Sequence, residues 1–320
     1  MSSLAFNYPG NSAPVLNPVA KLSAHLPPLC VQGNHLCAGQ QPVLLRGVNR
    51  SGLEYAEPGE VGFLASAGLT EHEMETICRH WGASIVRLPL NQDWALQGRG
   101  AFSDEDYLSA VDQVIAWAAS FGAYTLLDLQ WLSKEQEFGK LADGSPNRIA
   151  PLPDENSPRF WRKLALRYRD EPGVLFDLYN EPHDCSREDW RQWAKLLLHT
   201  IREVHPQALC FVSGVDWGYD LRGVFLDEPN VVYSTHVYPD KVLPWSRAFG
   251  CFASEAPLFA GEWGGTSEHV EWGRRLAAFF RQLRMGWTAW SWSDYPYLMR
   301  HGQPTEFGAL VQQELRRTAT

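Results

Sequence analysis

The sequence predicts an α/β protein built as a (β/α)8 barrel with a small N-terminal β-hairpin, on three observations. Eight short apolar runs recur along the chain, nearly all separated by stretches of helical periodicity. Parallel strands joined by helices cross over right-handed, and eight such units are the number that closes a barrel. No linker rich in Ser, Thr or Pro and no repeat divides the 320 residues, so 30–320 read as one domain behind a polar, Pro-containing tail over 1–29.

Residues 29–39 (LCVQGNHLCAG) form the hairpin, with Gly33-Asn34 as its two-residue turn. That turn sets Cys30 opposite Cys37, where a disulfide is geometrically allowed and would favour an oxidising compartment. The first barrel strand is 43–49 (VLLRGVN). Thr70 and Glu73 then have capping-box spacing, opening a helix to about residue 80. The second strand is 84–90 (SIVRLPL). Ser103 caps a helix whose apolar face is Tyr107, Val111, Val114, Ile115 and Ala118. The third strand is 124–131 (YTLLDLQW), followed by a polar loop over 132–156, longer than a scaffold requires and so a functional candidate.

Ser157-Pro158 reads as a cap with a first-turn proline. The fourth strand, 174–179 (VLFDLY), runs into Asn180-Glu181 and is stopped by Pro182, which has no N–H for a ladder. Ser186 opens a helix with Trp190 and Trp193 on its core face. Strands five to eight are 209–215, 231–238, 257–264 and 286–293. Helices with Leu276, Phe279, Phe280 and Leu283 inward, and with Leu310, Val311 and Leu315, flank the last strand.

Composition narrows function. Hydrophobic residues at 45% and charged residues at 20% indicate a globular chain, and a net charge of −9 argues against nucleic acid or an anionic membrane as partner. No apolar run is long enough to span a bilayer, and residues 1–29 lack the basic start and apolar block of a secretion signal. The six cysteines form no C-x-x-C, no histidine spacing completes a zinc set, and His72-Glu73 lacks the second histidine of a metalloprotease helix. No metal and no cofactor is expected.

Chemistry in such barrels sits where the strands end. Those ends carry Asn49, Arg50, Arg87, Gln130, Trp131, Asn180, Glu181, Asp216, Trp217, His236, Tyr238, Glu262, Trp263, Trp290 and Trp292. Glu181 and Glu262, on strands four and seven, face each other across one mouth. Paired carboxylates are what glycoside cleavage needs, one to protonate the leaving oxygen and one to attack carbon or activate water. Arg87 is placed to keep Glu262 ionised, or to serve as a structural ion-pair partner of Asp128. His236 and Tyr238 share a face and can bond a sugar or either acid.

RLPLN, DLYNEP, HVYP, GEW and AWSW, in this order and on these strands, resemble glycoside hydrolase family 5, over about residues 30–315. The resemblance implies a retaining endo-β-1,4-glucanase with Glu181 as acid/base and Glu262 as nucleophile. It implies that Asn180 bonds the sugar 2-OH, that Arg87 supports the nucleophile, and that His236 and Tyr238 line the same subsite. Trp290 becomes the sugar platform, with Trp131, Trp217 and Trp263 as further platforms or loop anchors. Asp128-Leu129-Gln130 stands where the family pattern has Asp-x-His, so Gln130 can accept and donate hydrogen bonds but carries no charge. The expected partner is β-glucan, met by an extracellular monomer. A β-mannanase, a xylanase, another β-glycanase and a non-catalytic sugar-binding barrel are the alternatives.

Overall fold

The computed structural model describes residues 22–23, 25–133 and 149–317. Eight parallel strands close into a barrel: β1 (Arg46–Asn49), β2 (Ile85–Asn91), β3 (Tyr124–Trp131), β4 (Val174–Asp177), β5 (Cys210–Ser213), β6 (Val231–Val237), β7 (Leu258–Trp263) and β8 (Gly286–Ala289). Each strand pairs with the next, and β8 pairs with β1. Parallel strands covered by helices are buried on both faces, which is why these segments read as continuous apolar runs and not as alternating ones.

Close approach sets one residue absolutely. A Cβ on Gly47 would lie 1.7 Å from the Ile85 carbonyl oxygen, so β1 and β2 meet only because this position is glycine. The barrel interior is apolar at its N-terminal end, where Ile85, Leu126, Leu175, Phe211, Val232 and Phe259 pack together. Above that layer the inward positions turn polar, with Arg87, Asp128, Asp177, Ser213, Ser234 and His236 all fully buried. The larger core lies between barrel and helices.

The hairpin forms as expected, from Leu29–Gln32 and His35–Ala38, with a short third strand at Gln41–Pro42. Within the segment assigned to the tail, Leu26 and Leu29 pack on the lower barrel layer. The Glu171 carboxylate accepts from the backbone N–H groups of Leu22 and Ser23 and from the Ser23 hydroxyl, and so ties the chain down there. Cys30 and Cys37 are cross-strand partners, both as free thiols.

Several boundaries differ from the sequence reading. β4, β5 and β8 end before their apolar runs do, because the chain leaves the ladder to build loops at the barrel mouth, whereas β1 starts three residues later than its run and ends at Asn49 as expected. Thr70 caps Glu71–Glu75 as expected, but the turn then widens to a π-helix over Thr76–His80. Its Glu73 does not close the capping box and instead binds Arg50 and the Trp292 indole N–H. Ser157 is the first residue of its helix, not its cap; its hydroxyl donates to Gln92 at 2.7 Å. Most of the long polar loop, 134–148, lies outside the described residues. Among the described residues no helix is long and apolar enough to cross a membrane.

Candidate active site

The C-terminal mouth of the barrel opens into a cleft of about 1040 Å³. Eight of the strand-end residues named from the sequence line it: Gln130, Trp131, Asn180, Glu181, Trp217, Tyr238, Glu262 and Trp290. Arg87 and His236 do not. Both are fully buried just below, where they hold the residues that do.

Arg87 is the third of seven residues in β2, not the strand end expected, so its long side chain rises through the barrel interior. Its Nε donates to Asp177 at 2.8 Å, Nη1 to both Asn49 and Glu262 at 2.9 Å, and Nη2 to Asn180 at 3.0 Å. Nη2 also lies 2.9 Å from Asp128. One guanidinium thus orients an amide and an acid of the cleft from beneath. The two readings of Arg87 prove compatible: it is both an ion-pair partner of Asp128 and a support for Glu262.

Glu262 is held from two sides, by Arg87 and by the Tyr238 hydroxyl, which donates at 2.7 Å. Glu181 faces the His236 Nδ1 at 2.9 Å and, among the described residues, has no hydrogen-bonding Lys or Arg. One oxygen of each glutamate and a ring nitrogen of His236 lie within 4.8 Å of one another. Burial raises both glutamates, and it pushes Glu181 up to about 7. At Glu262 the donors Arg87 and Tyr238 work against that rise, so Glu262 ionises before Glu181. Burial also pushes His236 down to about 4, so its contact with Glu181 is a neutral hydrogen bond and not an ion pair. Glu181, His236 and Glu262 come close enough to share a cation. Their facing oxygens are nevertheless already engaged by His236, Arg87 and Tyr238, and the set carries two acids of unequal proton affinity. That arrangement suits proton transfer paired with nucleophilic attack.

The tryptophans separate clearly. Trp290 borders the cleft, with its indole N–H donated to the Tyr295 carbonyl at 3.0 Å. Trp292 does not share that face; β8 ends at Ala289, strand alternation lapses, and the ring packs edge-on against Trp81. Trp263 is fully buried among Phe280, Trp287 and Phe307, so it is barrel packing and not a platform. Trp217 is 38% exposed at the cleft, with its inner face stacked on His183 at 3.6 Å and 8°. Trp190 is core, as expected, and donates to the Ser213 carbonyl. Gln130 is 4% exposed at the cleft wall, and its side-chain oxygen has no hydrogen-bond partner among the described residues.

Sequence reasoning missed Tyr55, Trp94, Asp240, Lys241, Asp294, Tyr295 and Tyr297, all of which line the cleft. The aromatic density of SDYPYL after the eighth strand was the one available signal.

Comparison with known proteins agrees with this geometry. The family model described as Cellulase (glycosyl hydrolase family 5) matches residues 38–296. Endoglucanase MaCel5A of Microbulbifer sp. (strain ALW1) is 26% identical over 285 residues, covering 83% of this chain and 51% of that protein. Endoglucanase E-5 of Thermobifida fusca is 23% identical over 288 residues, covering 82% and 55%. The chain spans about half the length of the curated relatives it matches. Among solved structures, the β-glucanase SdGluc5_26A of Saccharophagus degradans, in complex with cellotetraose, superposes with a TM-score of 0.75 at 22% identity, covering 95% of this chain and 97% of that one. With a family model matching most of its length, this chain belongs to the cellulase family, glycosyl hydrolase family 5.

Proposed function

We propose that the protein is a retaining endo-β-1,4-glucanase acting by double displacement, with Glu181 as acid/base and Glu262 as nucleophile. The observation that carries this is the close approach of the two acids, one oxygen of each lying within 4.8 Å of the other. Retaining enzymes hold their carboxyls roughly 5–5.5 Å apart, whereas inverting ones need about 6.5–9.5 Å to admit a water. The unequal proton affinities support the same assignment.

In the first step Glu181 gives its proton to the glycosidic oxygen as the Glu262 carboxylate attacks the anomeric carbon, forming a glycosyl ester and releasing the leaving chain. In the second, ionised Glu181 takes a proton from water, whose oxygen displaces Glu262. Asn180, fixed by Arg87, bonds the 2-OH of the sugar at the cleavage point. His236 stays neutral beside Glu181, and Tyr238 holds Glu262. Trp290 is the platform for that sugar, and Gln130 and Trp131 line the wall nearby. Trp217, on the Glu181 side, is placed for the leaving sugar.

The names of the relatives and the cellotetraose complex of the β-glucanase support β-1,4-glucan as substrate. Residues 30–320 work as one barrel domain and as a monomer, and a polysaccharide substrate puts the action outside the cell. Glu262→Ala tests the assignment: turnover of carboxymethylcellulose should be abolished, and azide should partly rescue cleavage with inverted product. Ordinary activity in that variant would overturn it.

A further inference from the structure

Beneath the cleft, Asp128 on β3 and Asp177 on β4 are cross-strand register partners, both facing the barrel interior and both fully buried. They share one cation with Glu262. Arg87 makes an aligned hydrogen bond to Asp177 Oδ2 and another to Glu262 Oε1, and spends two more on the amide oxygens of Asn49 and Asn180. Asp128 receives least: its Oδ1 is 2.9 Å from Arg87 Nη2 but off the N–H axis, and among the described residues neither of its oxygens has an aligned hydrogen bond. The neighbouring Asp177 Oδ1 has no aligned hydrogen bond among them either. Three ionised carboxylates around one guanidinium would leave two uncompensated negative charges in a water-excluded layer, which costs several kcal/mol per ion.

A single proton removes both difficulties. An ionised carboxylate only accepts, whereas a protonated one gains an O–H donor. We propose that Asp128 is kept as a neutral carboxylic acid that donates its proton to Asp177 Oδ1, forming a buried acid–carboxylate pair under the active site. One charge then remains in excess of Arg87, on the layer that contains Glu262. Asp128 is accordingly a positioning residue: by staying neutral it leaves the Arg87 charge to Asp177 and Glu262.

The surrounding groups agree. From β2 Arg87 favours ionisation, while Asp177 on β4, Glu262 on β7 and Glu54 after β1 oppose it. Burial outweighs the rest, so Asp128 is pushed well above the ordinary carboxylate range. Burial raises Asp177 as well, but Arg87 holds it down through its charge and an aligned hydrogen bond. Of the two, Asp128 therefore keeps the proton.

Infrared spectroscopy of the intact protein at neutral pH, with isotope-labelled aspartate, reads this directly. The wild type should show the C=O stretch of a protonated carboxylic acid, shifted by the label. D128N should remove that band while keeping turnover within a few-fold, since the amide mimics the neutral acid. D177N should also remove it, because Asp128 then ionises in place, and turnover should fall by one to two orders of magnitude. D294N should leave the band, which separates Asp128 from Asp294, a further aspartate that burial raises. Absence of a labelled acid band in the wild type, or its survival in D128N, would overturn the proposal. The wild-type and D177N spectra decide it even where D128N fails to fold. Because the infrared readout does not depend on turnover, its outcome stands apart from the assignment of the reaction.

Discussion

Replacing Tyr238 by phenylalanine removes one of the two donors that hold Glu262, the hydroxyl at 2.7 Å, and leaves Arg87 in place. A hydrogen bond to a charged group contributes about 1.5–3 kcal/mol. At about 1.36 kcal/mol per pKa unit, the Glu262 carboxyl should rise by roughly one to two units. The sign follows from which form the hydroxyl stabilises: it donates to the carboxylate, so its loss favours the protonated acid. Attack requires Glu262 ionised, so the acid limb of the rate profile moves to higher pH. The alkaline limb, set by Glu181 near 7, should stay where it is. The active window therefore narrows from its acid side and peak turnover falls by roughly 10- to 100-fold, given about 1.4 kcal/mol per decade. Initial rates on a soluble cello-oligosaccharide across a pH series read both effects. An unmoved acid limb with peak activity retained would show that Tyr238 does not support the ionised nucleophile.

Other perturbations separate the remaining roles. Arg87→Ala leaves buried Asp128, Asp177 and Glu262 without their cation and should destabilise the fold by about 3–5 kcal/mol, read by urea denaturation followed by far-UV circular dichroism. Lys241 lines the cleft and lowers Glu181 through its charge, so Lys241→Met should move the alkaline limb upward, by less than about one pH unit because the lysine is part-exposed. Rates on carboxymethylcellulose over pH check this, and a downward shift would contradict it.

The sequence made the scaffold legible because fully buried parallel strands leave continuous apolar runs, and the functional acids interrupt those runs at their ends. Glu181 after Leu178-Tyr179-Asn180 and Glu262 after Phe259-Ala260-Gly261 stood out for that reason, as did the Gly33-Asn34 hairpin turn. The polar layer below was less visible. Asp177 sits inside an apolar segment and carries no signal of its own; only the barrel shows that Arg87 joins it to Asp128 and Glu262. Tryptophans were ambiguous because sequence gives spacing and not direction. Trp263 lies on a strand facing the helices, whereas Trp290 lies just past the end of its strand and turns to the cleft. Loop residues such as Tyr55, Tyr295 and Tyr297 obey no periodicity, so nothing in their spacing could place them at the site.

The central claim is that Glu262 attacks carbon while Glu181 supplies and then removes a proton, two displacements on one anomeric centre. Proton NMR of the first-formed hydrolysis product, recorded before mutarotation equilibrates it, tests that most directly. The β-anomer should appear first, as retention requires. Initial accumulation of the α-anomer would mean a single displacement by water and would contradict the account.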